Sequence, residues 1–180
     1  MKKIATLSTV VATVLAIAIS QTILFPANAA GKGYRYWSYY HSDQKSLTWV
    51  ASQTGAAVDV AGGEVEGWVF TFDGDDVPST PPSIKPDFAK ICGSKKAPNG
   101  KKKVGLIIDF GKRAYAPQGE KIPATMTRCV ITSTKSQGID ILAQAVAVRS
   151  DSSGFVCGLK GYPAKECGVE IETPAALLSK

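Results

Sequence analysis

Apolar and polar positions alternate with a period of two through most of this chain, the spacing of half-buried strands. Residues 34–40, "YRYWSYY", place Tyr34, Tyr36, Ser38 and Tyr40 on one face and Arg35, Trp37, Tyr39 and the following His41 on the other. After the polar turn "HSDQKS", "LTWVAS" at 47–52 predicts a second strand. A Gly62-Gly63 turn leads into residues 64–72, which set Val65, Gly67, Val69 and Thr71 against Glu66, Trp68, Phe70 and Phe72. The run "VGLIIDFG" at 104–111 is apolar throughout and predicts a central strand covered on both faces. "MTRCVIT" at 126–132 and "GFVCGLKGY" at 154–162 complete six expected strands.

A helical period is clear only in "SQGIDILAQAVAV" at 136–148, where Ile139, Leu142, Ala143 and Val146 share a face and Ser136 is placed to cap. A single helical turn is expected over "DFAKIC" at 87–92. The proline-bearing stretches 73–86 and 116–125 read as loops. Together these elements predict an α+β domain, a small mixed or antiparallel sheet with one main helix packed on one face.

The first residues stand apart from that fold. Lys2 and Lys3 precede an uncharged, largely apolar run, and "PANAA" then offers small residues at Ala27 and Ala29. This is the layout of a secretory signal over residues 1–29, cleaved after Ala29. Residues 30–180 would form a single secreted domain with its core over about 34–172, and no membrane anchor would remain after cleavage. Losing Lys2 and Lys3 lowers the formal charge from +6 to +4. So mild a charge on an exported protein does not call for nucleic acid as a partner.

Export also changes the meaning of the four cysteines, which in an oxidising compartment read as two disulfides. Three pairings satisfy the arithmetic. The Gly-Tyr-Pro turn inside "CGLKGYPAKEC" favours Cys157 with Cys167, which leaves Cys92 with Cys129. No Cys-x-x-Cys spacing exists and His41 is the only histidine, so no metal or other cofactor is expected.

Trp37, Trp49 and Trp68 fall on three consecutive expected strands, with Tyr36, Tyr39 and Tyr40 among them. Such a cluster is either a small aromatic core beneath a loop or a platform of flat rings for stacking a planar ligand. Arg35 and His41 beside the rings resist full burial, which favours exposure for the face bearing Arg35, Trp37, Tyr39 and His41. The opposite face would then be core. The loop acids Asp73, Asp75 and Asp76 lack the twelve-residue calcium pattern and read as solvated. Lys95, Lys96, Lys101, Lys102 and Lys103 form the strongest local charge. They read as a solubilising loop beside an apolar strand, with contact to an anionic wall polymer as the alternative. One histidine and bridged cysteines assemble no nucleophile, base and orienter, so an enzyme is not expected.

The segments "YWSYYH", "TWVASQTGA", "VEGWVF", "VGLIIDFG", "RCVIT", "GIDILAQA" and "GFVCGLKGYPAKEC" together resemble a family of secreted actinobacterial proteins of unknown function. They are also similar to domains of the transcobalamin C-terminal type, across most of residues 34–168. That resemblance implies a β-grasp-like α+β domain lining a vitamin site and accompanying a vitamin-type importer. Tyr40 stands where the usual pattern carries a second Trp, and the aromatic strand comes first, not last, so the chain looks circularly permuted. Permutation requires Cys167 to lie near Tyr34. The function expected is a secreted binding module that captures a planar, vitamin-like ligand of corrinoid type through Arg35, Trp37, Tyr39, His41 and Trp49. The alternative is an interaction module docking another exported or wall component through the same aromatic patch.

Overall fold

The computed structural model describes residues 31–42 and 45–179; the signal expected over residues 1–29 lies outside them. The fold is α+β, with a six-stranded mixed sheet, a separate two-stranded hairpin and few helices. Along the chain the strands are β1 (Lys32–Ser42), β2 (Val50–Ala51), β3 (Val65–Gly74), β4 (Lys101–Asp109) and β5 (Met126–Ser133). β6 (Val148–Ser150), β7 (Val156–Leu159) and β8 (Val169–Glu172) follow, and the helices are α1 (Phe88–Cys92), α2 (Gly138–Ala145) and α3 (Ala175–Leu178). The sheet order is β2-β1-β3-β4-β5, with β8 also paired to β1. β3 and β4 are parallel and the other pairs antiparallel.

Both faces of this sheet are covered, which explains rings on both sides of β1. On the first face, Trp37 and Tyr39 join Trp68, Phe70, Phe72, Leu106 and Ile108 against α2 and the β6-β7 hairpin. The Trp37 indole donates to the Tyr162 carbonyl at 3.1 Å, and its ring meets Phe70 and Phe110. Trp37 and Tyr39 are only 4% and 5% exposed, so the expectation of an open aromatic face there is overturned. Arg35 does not hold this face open because its charge is met internally. It pairs with Glu166 and donates to the Tyr115 and Ala116 carbonyls.

The second face is closed by the proline-bearing loop 73–86 and α1. Loop amides are pinned to sheet side chains: Ser79 to Asp73 at 2.9 Å, Thr80 to Thr71 at 3.2 Å and Ser83 to Asp109 at 2.8 Å. Trp49 lies on this face. A Cβ at Gly67 would fall 2.7 Å from its ring, and its indole donates to the Ile84 carbonyl at 2.9 Å. Glycine at 67 is therefore required for the tryptophan to lie flat on β3. Of the residues expected as core on this side, Tyr40 is buried, Tyr36 and Ser38 are half-buried, and Tyr34 is exposed.

Disulfides join Cys92 to Cys129 and Cys157 to Cys167, the pairing favoured by spacing. The first ties the end of α1 to β5, and the second ties β7 to the segment leading into β8. α1 is capped by Asp87, whose carboxylate accepts from the Lys90 amide at 3.0 Å. α2 is capped at Gln137, one residue later than expected, with the Asp140 carboxylate accepting from the Gln137 amide. It buries Ile141 and Leu142 and leaves Ala143 exposed.

Candidate functional site

β1 lies at the margin of the sheet and is only partly paired on its outer side. β8 lies opposite residues 32–35 and β2 opposite residues 40 and 41. No strand among the described residues meets 36–38. The direction of the backbone groups follows from the bonds on either side of this gap. The Gly31 carbonyl accepts from Thr173 at 2.7 Å and the Tyr39 carbonyl accepts from Ser52 at 3.0 Å. Residues of that parity turn their N–H and C=O outward, and Trp37 is the one between them.

A cleft of about 790 Å³ occupies the gap. Its floor is the β1 segment 36–39, its walls are residues 51–57 and the turn 153–156, and Trp68 and Ile139 lie at its back. The hydroxyls of Ser52 and Thr54 and the amide of Gln53 belong to one wall, and Phe155, 40% exposed, to the other. Tyr36 faces Phe155 with ring centroids 6.5 Å apart, and Tyr39 lies 5.0 Å from Trp68. Trp68 is buried, and its indole N–H finds no acceptor among the described residues. A second hollow shares Tyr36, Asp73, Ser153 and Phe155 with the cleft and extends it to Tyr34, Cys167 and Gly168.

Behind the aromatic floor lies one buried acid. The Tyr39 hydroxyl donates to Glu66 Oε1, while Glu66 Oε2 has no partner among the described residues. Burial pushes the Glu66 carboxyl up from about 4.5 to about 7, against the lowering effect of the Tyr39 hydrogen bond; Glu64 raises it and Lys102 lowers it. Burial, with Glu66 beside it, also holds the Tyr39 phenol far above its usual range. A Cβ at Gly138 would come within 2.6 Å of Glu66 Oε1 and 2.7 Å of the Tyr39 hydroxyl, so the first residue of α2 leaves room for the pair. The arrangement supplies shape, flat apolar surface and hydrogen-bond donors.

The residues expected from sequence are dispersed by the fold. Trp37 and Tyr39 line the cleft as its floor. Arg35 is committed to Glu166, and neither it nor half-buried His41 lines the cleft. Trp49 lies on the other face of the sheet. Trp68, Phe155 and the wall 51–57 were not singled out for a site. The available signal was Glu66, an acid set among Trp68, Phe70 and Phe72 on an inward-facing strand row. The lysine cluster also divides. Lys102 donates to the Val60 and Ser136 carbonyls and Lys103 to the Cys92 and Lys95 carbonyls, both buried, while Lys95, Lys96 and Lys101 stay exposed.

Over residues 29–172 the chain matches the SCO2322-like domain. The chain belongs to that family. No curated protein and no solved structure matches it. The matched span of this SCO2322-like domain includes all eight strands and both disulfides, and therefore every residue of the cleft. No helix among the described residues is long and apolar enough to cross a membrane.

Proposed function

We propose that this SCO2322-like domain is an exported, non-catalytic binding module whose cleft at the β1 margin captures a planar, vitamin-like ligand for an importer. The observation that carries the reading is a cleft of about 790 Å³ where residues 36–38 of β1 meet no strand among the described residues, floored by Trp37 and Tyr39. That volume is in the range of small-molecule sites, and mixed rings and polar wall groups suit a flat heterocycle. Export is supported by the leader over residues 1–29 and by two disulfides in a chain with no free cysteine among the described residues. Tyr34 and Cys167 line one hollow, as a permuted transcobalamin-like arrangement requires. The test is tryptophan fluorescence in a Trp49→Phe variant, which removes the indole on the far face. Quenching by flavin-, haem- or corrinoid-type compounds supports capture, and a flat response to all three classes refutes it.

A second reading is favoured by a separate observation. Leu47, Val50 and Ile84 are 55%, 51% and 39% exposed around Trp49. Docking of another exported protein would use that apolar patch, with the exposed lysines available to anionic wall polymer. Pull-down with a Val50→Asp control separates docking from capture.

A further inference from the structure

We propose that the cleft selects ligands carrying a cyclic amide or imide edge, read by the peptide groups of Trp37 and the indole of Trp68. The inference rests on the capture reading above and adds the chemical class of ligand.

A residue in an antiparallel strand turns its N–H and C=O to the same side and bonds both to one partner residue. Gly31, Gly33, Arg35 and Tyr39 each have an outward-turned group met by, or lying opposite, β8, β2 or the chain beside them, whereas Trp37 has no such partner among the described residues. Trp37 is 4% exposed and lines the cleft, with its donor and acceptor turned toward the unpaired margin. Buried peptide groups are nearly always paired, and an unpaired donor and acceptor side by side define what is missing. The complement is an acceptor and a donor held side by side in one plane, the edge of a lactam or a cyclic imide.

The gap also decides between a small molecule and a peptide. Its three residues span about 10 Å. An added strand ordinarily pairs over five or six residues, and here the ends of β8 and β2 block its extension in both directions. A compact heterocycle fits between them where a strand does not.

The second donor is independent of the backbone. Trp68 is 2% exposed, lines the same cleft, and its Nε1 has no acceptor. A buried indole N–H ordinarily finds a partner. A ligand carbonyl beyond the amide edge would supply it, while the rings of Tyr36, Tyr39 and Phe155 accept the flat body.

The test uses the mature, disulfide-bonded protein labelled with ¹⁵N and three probes. Lumichrome is planar with an imide edge, 1,3-dimethyllumichrome has both N–H groups of that ring blocked, and acridine is planar with no amide. Lumichrome should bind, moving the Trp37 amide and Trp68 indole resonances downfield and leaving the Trp49 indole in place. Methylation should weaken binding roughly tenfold or more, the effect of losing two neutral hydrogen bonds. Trp68→Phe should weaken lumichrome severalfold and by more than it weakens acridine; the comparison of lumichrome with its methylated form needs no variant. Equal affinity for lumichrome and 1,3-dimethyllumichrome, or shifts that avoid Trp37 and Trp68, overturns the amide-edge reading and leaves capture standing. Binding by none of the three, acridine included, overturns both.

Discussion

Glu66 has no exposed surface, and one of its carboxylate oxygens has no partner, so its ionisation should weigh directly on the stability of the fold. Its carboxyl is pushed up from about 4.5 to about 7, chiefly by burial. A carboxyl with a raised folded pKa holds its proton more tightly in the folded chain than in the unfolded one. Stability is therefore greatest below about pH 4.5 and falls as pH rises toward 7, with the full cost present above that. The shift corresponds to a loss of roughly 3 kcal/mol across this window. Glu66→Gln keeps an acceptor for the Tyr39 hydroxyl and removes the charge. Urea unfolding with disulfides intact, from pH 4 to pH 8, measures both proteins on one scale. The variant should match the native chain near pH 4 and exceed it by roughly 3 kcal/mol at pH 8. Other carboxylates titrate alike in both, so the difference isolates position 66. Parallel curves, or a variant destabilised equally at every pH, would refute the assignment of a buried, strained charge.

Two further outcomes concern what holds the cleft in place. The Cys92–Cys129 bridge spans 37 residues and the Cys157–Cys167 bridge 10. Replacing each pair with Ala should cost about 4 and about 3 kcal/mol respectively, read by thermal and urea unfolding; the reverse order would contradict a chain-entropy origin. Gly67→Ala puts a methyl 2.7 Å from the Trp49 ring and 2.8 Å from Pro82. It should lift Trp49 off the sheet, at about 1–3 kcal/mol, with a red shift of the emission that is absent when Trp49 is replaced by Phe; an unchanged spectrum and stability would show that the ring does not rest on Gly67.

The strands were legible from alternation because their period is local, but the identity of the covered face was not. Alternation groups Trp37 with Tyr39 and Arg35; it does not tell which face has a roof. Arg35 argued for exposure, yet its countercharge, Glu166, lies 131 residues away and cannot be anticipated from neighbours. β3 runs two residues into the stretch 73–86 that was read as a loop, and the rest of it is irregular, but its role as a cover depends on Asp73, Thr71 and Asp109 reaching its amides. "LTWVAS" shrank to Val50–Ala51 because Trp49 leaves the ladder to pack on Gly67. β8, four residues with alternating half-burial, carries too little pattern to stand out from a loop. The cleft is the sum of these omissions: it exists because β2 and β8 are both too short to complete the margin of β1.

Amide hydrogen exchange along β1 tests that gap most directly. Tyr36 and Ser38 turn their N–H groups toward β3 and should be protected, whereas the Trp37 N–H, facing the cleft, should exchange orders of magnitude faster than either neighbour. Protection of Trp37 equal to that of Tyr36 and Ser38 would mean that the margin is sealed, and no site of the kind described here would remain.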